Sequence, residues 1–272
     1  MSGPVKLAVI GGGAMGSALL RGMVSKQMIT PAEVGVSDPD QQKRDALAYE
    51  LGIQPLVDNR AAATAEMLLL AVKPQIFPQI IEQLQGHLHP HCLVISIMAG
   101  ISVAALEQAF PHQPVVRTMP NTPALVGAGI TALSAGQLTT PEQVEQVRRL
   151  FESVGTVVTV PEAWLDAVTA VSGSGPGYLA VITEAMIDGG VYAGLPRPIA
   201  TQLVVQTLLG TATLLDQQQL HPAQLKDQVT SPAGTTIAGI STLERGGIRG
   251  LIMDAIAAAR DQARQLGQRP QP

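Results

Sequence analysis

Aromatic side chains are scarce in this sequence: three Phe, three Tyr and one Trp make up 3% of 272 residues. The core must therefore be built from Ala, Val, Leu and Ile, and a 46% apolar composition supplies them. That length accommodates one large domain or two modest ones. A single cysteine, Cys92, excludes a disulfide framework and suits a reducing compartment. No basic stretch exceeds the Arg148-Arg149 pair, and the net charge is −4. Both facts argue against nucleic acid or an anionic membrane as partner. The N-terminus lacks a basic-then-apolar signal segment. No apolar run approaches the roughly 20 residues of a membrane span. The expectation is a soluble cytoplasmic protein with no membrane partner.

What is present is alternation. Val5–Ile10, Val34–Ser37, Met67–Val72, Leu93–Ile97 and Val115–Met119 are short apolar runs of the kind buried on both faces of a parallel sheet. Helical stretches separate them: Ala14–Lys26, Gln41–Glu50 (ended by Gly52), Pro78–Gln85 and Ser102–Phe110. Thr30 to Glu33 has capping-box spacing with Pro31 just inside, which predicts a short helical turn. Thr131–Ser134 and Val157–Val160 are expected as late strands around a helix at Pro141–Ser153. The pattern predicts an α/β fold, a doubly wound and mostly parallel sheet of the Rossmann type. After about Pro161 the strand signal stops, and an all-α segment is predicted, with helices at Tyr178–Tyr192, Pro198–Asp216 and Ile252–Leu266. The expected division is 1–161 for dinucleotide binding and 162–272 for a helical unit. The middle helix is apolar nearly all round, carrying Leu203, Val204, Val205, Leu208, Leu209, Leu214 and Leu215. A tail of this size cannot easily cover such a helix, so an intertwined homodimer is expected.

Gly11, Gly13 and Gly16 fall as G-x-G-x-x-G directly after the first strand and at the opening of a helix. The glycines permit a tight turn, close approach of a pyrophosphate, and helix–strand packing. The phosphates would rest on the helix N-terminus. Asp38 lies 22 residues beyond Gly16 at the end of the second strand, where an acid can hold a ribose 2′-OH. That favours NADH, since a carboxylate repels a 2′-phosphate. Lys43, Arg44 and Arg60 nearby leave the preference open, and Asp38 also reads as a turn residue in Asp-Pro-Asp.

Reduction of a carbonyl usually requires a proton donor for the forming alkoxide. None of the five lysines lies in the helix after Gly175. The cluster His87, His89 and His91 reads as a surface loop broken by Pro90 rather than a metal site, so no metal is expected. No Ser-His-Asp or Cys-His arrangement is visible. A reductase without an obvious general acid suits an easier acceptor, a protonated imine, whose C=N⁺ is already electrophilic. The protein then orients the substrate against the nicotinamide and excludes water.

Seven segments, in order from end to end, carry a family resemblance: IGGGAMG (10–16), AVKPQ (71–75), SIMAG (96–100), RTMPNTP (117–123), SGSGPGY (172–178), DGGVYAGLPR (188–197) and SPAGTTIAGISTLERGG (231–247). The whole chain resembles the pyrroline-5-carboxylate reductases. The resemblance implies a Rossmann domain, a helical dimerisation domain, and reduction of 1-pyrroline-5-carboxylate to L-proline by NADPH or NADH. It also suggests dimers assembled into rings. By the same resemblance Ile10, Gly11, Gly12, Gly13, Ala14 and Met15, with Gly16 closing the motif, hold the pyrophosphate. Ser37, Asp38 and Asn59 lie at the adenosine ribose. Ala71, Val72, Lys73 and Pro74 line the cofactor, and Ile97, Met98 and Ala99 lie nearer the nicotinamide. Val229, Gly234, Thr235 and Thr236 hold the substrate. Backbone N–H groups take its carboxylate, and the Thr236 hydroxyl reaches the ring nitrogen as the catalytic contact.

The loop at 229–239 fits that role physically, as a glycine-containing turn feeding a helix N-terminus. A Ser/Thr-rich helix cap without a ligand is the plainer alternative. Lys73 is read as a phosphate-neutralising residue in preference to a proton donor. Three departures from the family pattern stand out. Ala233 occupies the position of the first loop glycine, Gly177 that of an alanine, and Asp38 that of a small or phosphate-tolerant residue. The competing functions are another imine reductase, a β-hydroxyacid dehydrogenase, and a dinucleotide-sensing regulator without turnover.

Overall fold

In the computed structural model, which describes residues 4–268, the chain divides into two compact units, 4–174 with 259–268, and 175–258. The first unit begins with β1 (Leu7–Ile10), α1 (Ala14–Ser25), β2 (Val34–Ser37), α2 (Gln41–Leu51) and β3 (Gln54–Pro55). Next come β4 (Met67–Leu70), α3 (Phe77–Leu84), β5 (Leu93–Ser96), α4 (Val103–Ala109) and β6 (Val115–Met119). β7 (Gly129–Ala135), α5 (Pro141–Glu152), β8 (Gly155–Thr159) and α6 (Leu165–Val168) complete the series. The eight strands form one sheet in the order β3-β2-β1-β4-β5-β6-β7-β8, parallel except where β7 runs against β6.

Side-chain alternation along the strands divides the core. Leu7, Val9, Leu69 and Ile95 face one side, where Leu19, Leu20, Leu47, Leu150 and Phe151 of α1, α2 and α5 cover them. Ala8, Ile10, Leu68, Leu70 and Val94 face the other, against Phe77, Ile80, Leu84 and Leu106 of α3 and α4. Four-residue strands buried throughout thus make a two-sided core almost without aromatics.

The helix ends follow local chemistry. The Asp40 carboxylate accepts the Lys43 N–H to start α2, and Gly52 ends it at φ 69°. Thr140 and Gln143 form a reciprocal capping box at α5. The turn at Pro31–Glu33 forms without a side-chain cap from Thr30, and the Glu33 carboxylate pairs with Lys6 at 2.7 Å. After α6 the helix widens into a π segment, Thr169–Gly173, where the Ser174 N–H donates to the Thr169 carbonyl at 2.8 Å.

The second unit contains α7 (Gly175–Tyr192), α8 (Arg197–Gln218), α9 (Pro222–Gln228), α10 (Thr235–Arg245) and the first half of α11 (Ile248–Gln268). α7 packs on α8, and Gly190 leaves room for Ala200. Only Ala200 and Val204 of α8 are buried. Leu203, Val205 and Leu209 are more than half exposed, as are Leu179 and Val181 of α7. Among the described residues, these apolar faces are left uncovered. One expectation needs correction: α8 is long and apolar enough to cross a membrane by length and composition. Its Thr, Gln and Gly residues interrupt a continuous apolar run but weigh little against its Leu and Val.

Candidate active site

The turn from β1 into α1 shows why glycine is needed. Gly11 sits at φ 104°, and a Cβ there would run into the Ala71 carbonyl at the end of β4. A Cβ on Gly16 would strike the Gly11 carbonyl. Gly13, by contrast, has open space where its Cβ would be. It occupies the N-cap of α1, whose first turn has neither a side-chain cap nor an acidic residue. The helix therefore presents its N–H groups to whatever anion lies beyond it. This is the donor set and the room that a pyrophosphate needs, and the residues present fit a dinucleotide.

A cleft of about 590 Å³ opens at this end of the sheet. Of the residues singled out in the sequence, Ile10, Gly11, Gly13, Ser37, Asp38, Asn59, Ala71, Val72 and Lys73 line it. Gly12, Ala14, Met15, Gly16 and Pro74 belong to the same turns but do not line it. Asp38 spans the mouth of the loop: its Oδ2 accepts the Gly12 N–H at 2.8 Å and stands 3.9 Å from Lys43 Nζ, while Oδ1 accepts the Asp40 N–H at 3.0 Å. Ser37 Oγ donates to Asn59 Oδ1 at 2.7 Å, and Asn59 Nδ2 donates to Gln83 Oε1 at 2.7 Å. Gln79 and Gln83 were missed from sequence. Their spacing of four along α3 puts both on the cleft-facing stripe, a signal that appears only once the helix is docked.

Ile97, Met98 and Ala99 lie outside that cleft, beyond the C-terminal end of β5. Met98 is buried and its N–H donates to Ser96 Oγ; Ile97 and Ala99 are half-buried. The neighbouring strand is tied alongside, with Thr118 Oγ1 donating to the Ser96 carbonyl at 3.0 Å.

In the second unit, Ser231 to Gly234 form a tight turn closed by the Gly234 N–H donating to the Ser231 carbonyl at 3.0 Å. Gly234 is then the N-cap of α10, again without a side-chain cap or an acid in the first turn. Among the described residues, neither the Thr235 nor the Thr236 hydroxyl has a partner; Thr236 is half-buried, Thr235 exposed, and Val229 exposed before the turn. Ala233 adopts φ 57°, the left-handed region that glycine normally fills. Tyr178 Oη, which the sequence did not mark, is buried with no hydrogen-bond partner among the described residues.

His89 and His91 stand with ring centroids 5.8 Å apart, and the His91 N–H donates to His89 Nδ1. Among the described residues, no group of three or more His, Cys, Asp or Glu could hold a metal ion.

Comparison with known proteins places the whole chain in a family. Residues 162–266 match the family described as pyrroline-5-carboxylate reductase dimerisation, and residues 6–100 match NADP oxidoreductase, coenzyme F420-dependent. The chain is 47% identical over 268 residues to pyrroline-5-carboxylate reductase of Synechocystis sp., covering 97% of this chain and 99% of the relative. It is 41% identical over 266 residues to the enzyme of that name from Methanosarcina acetivorans, covering 97% and 98%. The crystal structure of Plasmodium falciparum pyrroline carboxylate reductase with NADP bound superposes with a TM-score of 0.88 at 30% identity, covering 97% of this chain and 98% of that one. The Coxiella burnetii pyrroline-5-carboxylate reductase structure gives 0.91 at 32%, covering 98% and 100%. A glycine turn built for a dinucleotide, uncovered apolar helices and near full-length similarity converge: the chain belongs to the pyrroline-5-carboxylate reductase family.

Proposed function

We propose that this chain reduces 1-pyrroline-5-carboxylate to L-proline with a nicotinamide dinucleotide as reductant. The observation that carries the reading is similarity over 97% of the chain to a reductase of that name, at 47% identity. When bound, the cofactor supplies a hydride from the nicotinamide ring. Everything else falls to the chain. The turn at Gly11–Gly16 holds the pyrophosphate through backbone N–H groups. Ser37, Asp38 and Asn59 hold the adenosine ribose, and Ala71 to Pro74 line the dinucleotide, with Lys73 neutralising phosphate. Ile97 to Ala99 flank the nicotinamide.

The turn at Val229–Thr236 takes the substrate. Its carboxylate sits on the ring carbon next to the nitrogen, so neighbouring groups can hold both. Backbone N–H groups at the start of α10 take the carboxylate, and the Thr236 hydroxyl contacts the nitrogen. A protonated imine needs no proton at the moment of hydride transfer, which accounts for the lack of a carbonyl-type general acid.

Residues 1–161 serve the dinucleotide, and 162–272 serve dimerisation and the substrate. A second copy of the chain covers the apolar faces of α7 and α8; assembly of such dimers into rings rests on the family resemblance alone. Asp38 favours NADH over NADPH, through its charge at the ribose. In the test, purified metal-free protein oxidises NADH or NADPH only when the imine is supplied. Absence of turnover with either cofactor would reject the reading.

A further inference from the structure

Pro176 lacks an N–H, so it cannot return the helical hydrogen bond that the Ser172 carbonyl, four residues earlier, would ordinarily accept. The ladder is already disturbed there, since the π segment ends at Gly173. The partner comes from a different loop. Asn121, in the loop after β6 and 9% exposed, donates from Nδ2 to the Ser172 carbonyl at 3.1 Å. Its Oδ1 accepts the Ile130 N–H at the start of β7 at 2.9 Å. Both halves of the amide are used, and the partners fix its orientation: an N–H requires the oxygen and a carbonyl requires the nitrogen. Met119 packs on the same segment, where a Cβ on Gly173 would lie 2.9 Å from its Cε.

The position of this clamp matters. β5 and β6 are parallel, with Ser96 opposite Arg117, so Ile97–Ala99 beyond β5 and Pro120–Asn121 beyond β6 leave the sheet at the same C-terminal edge. β7 runs the other way, which brings Ile130 to that edge as well. In open α/β sheets ligands bind in the crevice outside that edge. We infer that Asn121 is a positioning residue for hydride transfer: it fixes the Ser172–Ser174 backbone as a wall beside the nicotinamide end of the site. The inference rests on the proposed reduction, and it acts through the backbone rather than through contact with reacting atoms. Small misplacements of a reacting pair are costly in rate, about a hundredfold for 1 Å.

The test starts from wild-type turnover with imine and NADH, which checks the proposed reduction independently. Asn121→Asp keeps the acceptor for Ile130 and removes the donor to Ser172. Its kcat should fall roughly ten- to a hundredfold. NADH affinity by fluorescence should stay within about threefold, because the pyrophosphate turn is untouched. The deuterium isotope effect on kcat with 4-deuterated NADH should rise as the chemical step becomes limiting. Pro176→Ala restores an N–H for the Ser172 carbonyl, so Asn121→Ala combined with Pro176→Ala should regain at least about tenfold of the kcat lost in Asn121→Ala alone. An unchanged kcat, a parallel loss of NADH affinity, an absent rescue, or failure to fold in both backgrounds would each overturn the inference.

Discussion

The carboxylate of Asp38 holds the backbone N–H of Gly12 at 2.8 Å, so the acid at the end of β2 and the glycine turn after β1 form one unit. An acid that braces the glycine turn cannot be exchanged without touching the turn itself. Two substitutions separate its effects. Asp38→Asn keeps an acceptor for Gly12 and removes the charge; Asp38→Ser removes both. If charge governs cofactor choice, both variants should lower KM for NADPH relative to NADH, by about tenfold. Asp38→Ser should in addition raise KM for NADH. A ratio unmoved in both variants would leave Asp38 as a turn residue only.

Ala233 carries a cost that its neighbours do not relieve. It sits at φ 57° in a turn whose third position favours glycine. The left-handed penalty is about 1–2 kcal/mol, and the extra freedom of glycine in the unfolded chain offsets part of it. Ala233→Gly should stabilise the fold by about 0.5–1 kcal/mol, raising Tm by roughly 1–4 °C, with turnover retained. Calorimetry checks the gain, and a lower Tm would reject it.

Most of the sheet was legible in the sequence because its strands are short apolar runs between helices with clear signals. β1, β2, β4, β5 and β6 fall within one or two residues of their expected ends. β3 was missed because two residues, Gln54 and Pro55, carry no pattern. α9 was missed because Pro222–Gln228 has almost no apolar stripe, and α11 begins four residues before the expected Ile252. Antiparallel β7 could not be read from alternation, which says nothing of direction. At the site, the glycines and Asp38 announce themselves by spacing. Gln83 and Asn121 do not, because their roles depend on which backbone groups the fold brings to them.

The Cys92 thiol is fully buried, and burial pushes its pKa up to about 12. In the unfolded chain it titrates near 8.5. The buried thiol thus contributes stability that is fully present below about pH 8.5 and lost as pH rises toward 12. At pH 8 the native protein should not react with an aromatic disulfide reagent, and labelling should follow unfolding as denaturant is added. Rapid labelling of the native protein would show the site to be open.

Leu203 and Leu209 are 53% and 60% exposed on α8 in the single chain. If a second copy covers them, a charge there must be buried without a partner on association. Leu209→Glu should shift the protein to monomers by light scattering and abolish turnover, while an exposed site elsewhere, Tyr49→Glu, should leave the assembly intact. A dimer that persists in Leu209→Glu would place the interface elsewhere.

Thr236 lies one residue inside α10 with its hydroxyl unpartnered among the described residues, and Gly234 caps that helix with backbone alone. A hydroxyl and a set of N–H groups held a residue apart suit an imine nitrogen and the carboxylate beside it. Thr236→Ala removes one hydrogen bond to a partly charged group, about 1.5–3 kcal/mol of transition-state binding, or roughly ten- to a hundredfold in kcat/KM. If the phosphates rest on the turn at Gly11–Gly16, NADH affinity should stay the same. Gly234→Val should lose more. Its Cβ would press on the Ser231 side chain and carbonyl, and its branches would crowd the space where the carboxylate is received. Thr236→Ser tests the reading from the other side: it keeps the hydroxyl and should retain most of the activity. Full activity in Thr236→Ala, or equal weakening of NADH and imine, would remove this turn from the substrate site.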